Sequence, residues 1–208
     1  NAPGRPVVTG DIPAGVAFVW AMLLFVAGLV ISASSCRASF TFSLLAVAAG
    51  LVVYDLVSKR LSVGKQVLVA MLITSIYPLA FAQTGVAVAP RARTLLFFPV
   101  WLFITSFGYE ILKDIRDSRG DRTAGRVTWI DTRPHTARRV ASAAVIAGAL
   151  VLIVPAFVGC GSLYRKLLPL PMAAGVISAL LPVRPALAAI YLECVLVGIS
   201  TTLDLAYS

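Results

Sequence analysis

Seven long stretches of the chain are almost free of charged side chains, and this feature restricts the fold more than any other. They cover residues 12–35, 38–54, 66–90, 94–109, 140–164, 167–183 and 185–203, and Glu193 alone interrupts the last one. A helix that spans a bilayer needs roughly 20 apolar residues, within a range of about 17–25. The stretches therefore predict an all-α, multi-span transmembrane helical bundle with about seven helices.

The composition agrees with a membrane protein and excludes several other classes. Hydrophobic residues make up 59% of the chain and charged residues 13%, whereas soluble domains have about 45–50% and about 25%. An ordinary soluble globule, a disordered chain and a disulfide scaffold are thereby excluded. No linker divides the sequence, so residues 1–208 are expected to form a single transmembrane domain.

The distribution of the basic residues predicts an orientation. If the N-terminal segment faces the cytoplasm, 13 Lys and Arg residues lie on that side of the membrane and 5 on the other. Cytoplasmic loops carry such an excess of positive charge, so the loop over residues 113–139 is expected in the cytoplasm. The prediction is a multi-pass protein of the cytoplasmic membrane whose site faces the cytoplasm. The bases are not interleaved with stacking aromatics, and no nucleic-acid partner is expected.

Four of the nine acidic residues fall within twelve positions: Glu110, Asp114, Asp117 and Asp121. On a helix at about 100° per residue they share an arc of roughly 60°. Like charges at such spacings repel one another, so cations must compensate them.

Two compensating arrangements are open on the residues alone. One is a network of salt bridges, and the other is Mg²⁺, which takes oxygen ligands, binds one or two carboxylates directly and often bridges to substrate phosphates. The bases available for the network are Lys113, Arg116, Arg119 and Arg122.

Three segments together resemble the UbiA superfamily of intramembrane prenyltransferases. Residues 113–125 match its second aspartate-rich motif, written here as K-D-x-x-D-x-x-G-D-x-x-x-G. Residues 1–10 resemble the N-x-P-x-R-P-[IV]-x-x-G stretch that follows the first motif. Residues 54–61 resemble the loop with a tyrosine and basic residues between two later helices.

The resemblance implies roles for individual residues. Asp114, Asp117 and Asp121 would be the catalytic residues that hold Mg²⁺, the expected cofactor, and the diphosphate. The substrate-binding set would be Lys59 and Arg60 on the diphosphate, Tyr54 ordering that loop, and also Arg5, Lys113 and Arg122.

The resemblance also implies an activity. A polyprenyl diphosphate would ionise with the help of Mg²⁺, and a lipophilic or aromatic acceptor would capture the prenyl group within the membrane lipid. The continuation from Gly120 to Gly125 is similar to that of enzymes that modify geranylgeranylglyceryl phosphate or homogentisate-type rings. Such a transferase would serve lipid or quinone biosynthesis.

The sequence departs from the family pattern at its start. Members have nine spans and an N-D-x-x-D motif before the segment that resembles residues 1–10. The chain is therefore expected to be N-terminally incomplete and, by itself, inactive. The alternative is a catalytically incomplete homologue that acts as a binding or scaffold protein.

Other interpretations rest on single features. The aspartate motif of CDP-alcohol phosphotransferases is not found, and a transporter would place more ionisable residues within its spans than Glu193 alone. Glu193 is either a functional group, because charge within a span is costly, or a hydrogen-bonded helix contact. Trp101 and Trp129 are predicted to lie at the membrane interfaces.

Overall fold

The computed structural model describes residues 6–57, 63–84, 94–123 and 128–207, except the side chains of residues 8, 57, 95 and 119–123. Within this part of the chain every regular element is a helix and there is no strand. The all-helical prediction is confirmed.

The regular elements of the described residues are twelve α-helices and one short 3₁₀ turn. The helices are α1 (Pro6–Thr9), α2 (Ala14–Ser35), α3 (Ala38–Val57), α4 (Gly64–Thr74), α5 (Ile76–Thr84), α6 (Phe97–Thr123), α7 (Trp129–Thr132), α8 (Pro134–Val151), α9 (Ile153–Val158), α10 (Ser162–Leu167), α11 (Pro169–Leu180) and α12 (Val183–Ala206). The 3₁₀ turn, Thr94–Leu96, directly precedes α6.

Five helical segments in the described part are long and apolar enough to cross a membrane. They are Ala14–Ser35, Ala38–Leu56, Gly64–Thr84, Pro134–Val158 and Val183–Ala206. The two remaining uncharged stretches fall in α6, which runs on into charged sequence, and around α11, which has 12 residues.

Two of the spanning segments are interrupted, and proline explains both breaks. The segment α4–α5 breaks at Ser75 and the segment α8–α9 breaks at Leu152. Proline lacks the N–H that would bond to the carbonyl four residues earlier. For Pro78 that carbonyl belongs to the last residue of α4, and for Pro155 to the last residue of α8.

Helix α6 is the centre of the bundle, and it packs most extensively against α8. Small residues allow the close approach: a Cβ added at Gly108 would meet Val145 Cγ2 at 2.8 Å, and one added at Gly148 would overlap Thr105 Oγ1. By contrast, α2 packs mainly against α3. Most of its side chains are exposed, as suits a helix that faces lipid.

Buried apolar side chains gather at two places along α6. One cluster surrounds Ile111 and Leu112, beside the acidic motif, together with residues of α7, α8 and α12. The other surrounds Phe98 and Trp101, near the start of α6. We call these regions the motif end and the far end of α6.

Candidate functional site

A single continuous helix carries the acidic motif. Helix α6 begins at Phe97 in apolar sequence and ends at Thr123, so it includes Glu110, Asp114, Asp117 and the backbone of Asp121. The prediction that these residues lie on a helix is confirmed. Their spacing places the four carboxyl-bearing positions along one side of it.

Helix α4 supplies the partners of Asp114. Lys65 Nζ lies 2.8 Å from Asp114 Oδ1, and Gln66 Nε2 donates to Asp114 Oδ2 at 2.7 Å. The Asp114 side chain is 13% exposed, and Gln66 is buried. A carboxylate so enclosed needs charge-assisted bonds of this kind, because burying it unpaired would be costly.

The other two described carboxylates have cationic partners on α6 itself. Arg116 donates to Asp117 through Nε at 2.8 Å and through Nη2 at 3.2 Å. This fork holds the pKa of the Asp117 carboxyl below its usual range. Lys113 Nζ bonds both oxygens of the buried Glu110, at 2.8 and 2.7 Å.

Of the two compensating arrangements that the sequence left open, the described residues show ion pairs. Among them, no group of three His, Cys, Asp or Glu side chains is placed to hold a metal ion. The side chain of Asp121 lies outside the described residues. Asp114 and Asp117 still offer carboxylate oxygens, the ligand type that Mg²⁺ prefers, and one or two carboxylates suffice for it. The Asp117 side chain is 44% exposed, which leaves it accessible to a ligand.

The remaining predicted residues are only partly described. Lys59, Arg60, Arg5 and the side chain of Arg122 lie outside the described part of the chain. Tyr54 is half-buried in the last turn of α3 and lies within electrostatic range of Lys65.

Sequence reasoning missed Lys65 and Gln66 as partners of the motif. They precede Asp114 by 49 and 48 positions, and no local pattern connects them to it. The available signal was that Lys65 is a lone cation at the start of an apolar run, where it has to find a carboxylate or water. The structure thus joins Tyr54, Lys65 and Asp114 in one place.

A pair of tyrosines lies directly beside the motif, and it too was not foreseen. The hydroxyls of Tyr109 on α6 and Tyr191 on α12 are 2.7 Å apart, and the rings meet edge to face with centroids 5.3 Å apart. Both tyrosines lie within electrostatic range of Arg116. The pair therefore connects α12 to the α6 side of the site.

Glu193 is a hydrogen-bonded helix contact. It is fully buried on α12, and Trp101 Nε1 donates to its Oε1 at 2.8 Å. Among the described residues its Oε2 has no hydrogen-bond partner, and a Cβ added at Gly175 of α11 would lie 2.9 Å from that atom. The interface position predicted for Trp101 is wrong, because its indole bonds a buried carboxyl and is 3% exposed. Trp129 is half-buried at the start of α7.

Comparison with known proteins gives concordant results. The model of the UbiA prenyltransferase family matches residues 1–191. A digeranylgeranylglyceryl phosphate synthase of Methanothrix thermoacetophila is 29% identical over 128 residues, which are 62% of this chain and 46% of that protein. The chain thus matches about half the length of this relative.

A solved structure, from a study of digeranylgeranylglyceryl phosphate synthase in membranes, shares the fold. Its TM-score is 0.73 at 18% identity, over 98% of this chain and 74% of the other. The all-helical bundle is therefore of a known type, and the family match extends over most of the sequence. This chain belongs to the UbiA prenyltransferase family.

Proposed function

We propose that the chain takes part in the transfer of a polyprenyl group from a polyprenyl diphosphate to a lipophilic acceptor within the membrane. The observation that carries this proposal is the placement of Asp114 and Asp117 at the polar end of α6, with Lys65, Lys113 and Arg116 around them. Carboxylates and cations mixed in this way suit a complex of a divalent metal with a diphosphate.

A lipid acceptor is favoured over an aromatic one. The relative from Methanothrix thermoacetophila is named as a digeranylgeranylglyceryl phosphate synthase. We therefore propose a glyceryl phosphate lipid as the acceptor, a geranylgeranyl chain as the donor group, and a role in lipid biosynthesis. The excess of basic residues around the motif supports a cytoplasmic position for the site.

Asp114, Asp117 and Asp121 would hold Mg²⁺ in this proposal. When bound with a diphosphate, the metal supplies positive charge that stabilises the leaving group. Asp117 suits this role because it is the most accessible of the described carboxylates of the motif and stays ionised beside Arg116.

The chain's own cations would share the neutralisation of the diphosphate. Lys65 and Arg116 are paired with carboxylates in the structure, and they could turn to phosphate oxygens when the substrate binds. The bond between C1 of the prenyl group and the diphosphate oxygen breaks, and both electrons leave with the oxygen. Preorganised positive charge lowers the barrier to this step.

The acceptor completes the reaction. A nucleophilic oxygen of the acceptor forms a bond to C1 of the allylic cation and releases its proton, so atoms and charges balance. The apolar helices around the site hold water away from the cation, which would otherwise be captured by hydrolysis.

The test is calorimetric titration of the full chain with geranylgeranyl diphosphate in detergent, with and without Mg²⁺. The expected result is Mg²⁺-dependent binding that Asp117→Asn weakens by about tenfold or more, the loss of one charge-assisted interaction. Asp11→Asn is the matched control, because Asp11 is also exposed and lies outside the motif. Binding that survives Asp117→Asn combined with Asp121→Asn would contradict the assignment.

A binding or scaffold role is the second candidate, and the ion pairs favour it. Because each described carboxylate of the motif already has a cationic partner, the motif could serve packing alone. In that case neither Mg²⁺ nor the diphosphate would bind, and both substitutions would change only the stability of the bundle.

A further inference from the structure

Four arginines at the starts of α8 and α12 have no carboxylate to neutralise them. We call them the basic junction, and they are Arg133, Arg138, Arg139 and Arg184. Among the described residues none of the four forms an ion pair, whereas each described cation of the acidic motif has one. The positive charge of the basic junction is therefore available to an anion.

We propose that the basic junction binds the phosphate headgroup of an anionic phospholipid from the surrounding bilayer. This inference does not rest on the proposed function, because it involves neither the prenyl donor nor Mg²⁺. It adds a lipid-binding site at the same end of the bundle as the acidic motif, formed by other helices.

The first argument is that Arg138 joins α8 to the turn between α11 and α12. Its Nη2 donates to the backbone carbonyls of Ala179, at 3.1 Å, and of Leu181. Arg184 follows Leu181 by three residues, which span at most about 11 Å. The two long side chains of Arg138 and Arg184 can therefore reach one headgroup.

The second argument is that the neighbours of the basic junction do not cancel its charge. The partners of Arg138 are neutral carbonyls, and its Nη1 is buried with no hydrogen-bond partner in the described part of the chain. Asp131, the acid nearest to Arg133 in sequence, accepts two bonds from Thr128 at 2.8 Å. The first turns of α8 and α12 contain no acidic residue, although the positive end of a helix dipole favours an anion. A phosphate would compensate these charges through charge-assisted bonds.

The third argument is the depth of the basic junction in the membrane. The apolar spans Pro134–Val158 and Val183–Ala206 begin there, so its arginines lie where the spans meet the headgroup layer. Arg133, Arg139 and Arg184 are exposed, and basic groups near that surface attract anionic lipids. The apolar spans beside them would contact the hydrocarbon chains of a phospholipid, which a free phosphate lacks.

A bound lipid should stabilise the motif end of the bundle. Ala137 of α8 and Ala186 of α12 belong to the same buried cluster as Ile111 of α6, beside the acidic motif. A lipid that bridges the starts of α8 and α12 requires the folded arrangement of these helices. Because a ligand that binds only the folded state stabilises it, anionic lipid should raise the midpoint of thermal unfolding.

The chain offers a matched pair of double variants. Arg138→Gln with Arg184→Gln removes two positive charges from the basic junction. Arg165→Gln with Lys166→Gln removes two from the last turn of α10, which packs at the far end. Arg139→Gln with Arg184→Gln is the second test variant. Both of these side chains are exposed and form no hydrogen bond to another described residue, so this variant keeps the bonds between Arg138 and α11.

The experiment measures lipid binding to the full chain in neutral detergent by native mass spectrometry, with the thermal unfolding midpoint as a second readout. The probes are phosphatidylglycerol, phosphatidylcholine and inorganic phosphate. We expect phosphatidylglycerol to bind more tightly than phosphatidylcholine and to raise the midpoint. Arg138→Gln with Arg184→Gln should weaken its binding about thirtyfold, about fivefold for each base lost. The α10 variant should behave as the unsubstituted chain does, and Arg139→Gln with Arg184→Gln should repeat the loss if the first variant does not fold.

Four outcomes would overturn the proposal, and they are distinguishable. Equal binding of phosphatidylglycerol and phosphatidylcholine would show that the headgroup charge is not recognised. Equal weakening by the α10 variant would show that binding follows the net charge of the chain. A rise of the midpoint with inorganic phosphate as large as with phosphatidylglycerol would identify a site for free anions. Complete displacement of phosphatidylglycerol by an equimolar amount of the glyceryl phosphate acceptor would identify a substrate site instead.

Discussion

The two ends of α6 differ in the partners that stabilise their buried carboxyl groups. At the motif end, Asp114, Glu110 and Asp117 are matched with cations at 2.7–2.8 Å. At the far end, apolar side chains surround an open cavity, and two buried carboxyls accept hydrogen bonds from neutral donors: Glu193 from the Trp101 indole, and Asp204 from the backbone N–H groups of Gly161 and Tyr164. Charge is expensive in a membrane and is retained where it can act on a ligand. Carboxylates that are paired with cations at one end and with neutral donors at the other support the proposal that an ionic ligand binds at the motif end.

The largest expected effect comes from breaking the helix pair that supports both ends. In Gly148→Leu, the new side chain would overlap Thr105 of α6. Overpacking of this kind should lower the free energy of unfolding by about 3 kcal/mol. Gly28→Leu is the control, because an added Cβ at Gly28 meets nothing within 4 Å. Denaturant unfolding in mixed micelles measures the difference, and equal stabilities of the two variants would contradict the close α6–α8 contact.

The second prediction separates the two ends by disturbing only the far one. Trp101→Phe leaves the buried Glu193 carboxyl without its donor. The free energy of unfolding of the variant should be about 2 kcal/mol lower, because an unsatisfied buried polar group costs about that much. Diphosphate binding at the motif end should be retained in the folded fraction. Trp20→Phe, on the exposed face of α2, is the control and should change little.

The third prediction sharpens the role of the cations at the motif end. Lys65→Met removes the ammonium that lies 2.8 Å from Asp114. Binding of the diphosphate should weaken by about tenfold, about 1.4 kcal/mol, because one positive charge is lost from the site. Lys166→Met on α10 is the matched control, since Lys166 is a cation outside the site. If both variants bound the diphosphate equally well, Lys65 would serve packing alone.

The smallest effect is expected beside the motif end, at the tyrosine pair. Tyr191→Phe removes one hydroxyl from a bond of 2.7 Å that is open to its surroundings. The free energy of unfolding should fall by about 0.5 kcal/mol. Tyr207→Phe serves as the control because Tyr207 is 80% exposed. If Tyr191→Phe lowered the free energy of unfolding by several kcal/mol more than Tyr207→Phe does, the pair would be a main contributor to the packing of α12.

Much of the fold could be predicted from the sequence, because uncharged runs and their lengths report directly on membrane helices. The placement of Asp114 and Asp117 on a helix followed from their spacing in the same way. Neither required knowledge of what packs against what. The family resemblance then added an activity that spacing alone could not supply.

The parts that could not be predicted depend on contacts between distant segments. The bond between Tyr109 and Tyr191 joins residues 82 positions apart, and nothing in either local sequence indicates it. The position of Trp101 was not predicted for a similar reason. An indole near the end of an apolar run is typical of an interface, but here the indole is buried and donates to Glu193 on another helix.

The most direct test of the account uses a photoreactive donor whose attachment depends on the motif end of α6. Geranylgeranyl diphosphate with a photoreactive group on its terminal carbon would be bound to the full chain with Mg²⁺, irradiated, and its attachment sites mapped by mass spectrometry. The account predicts labelling at buried positions of the helices that pack around α6, abolished by chelation of Mg²⁺ and by Asp117→Asn. Labelling confined to the exposed faces of α2 and α3, or unchanged by chelation, would contradict it.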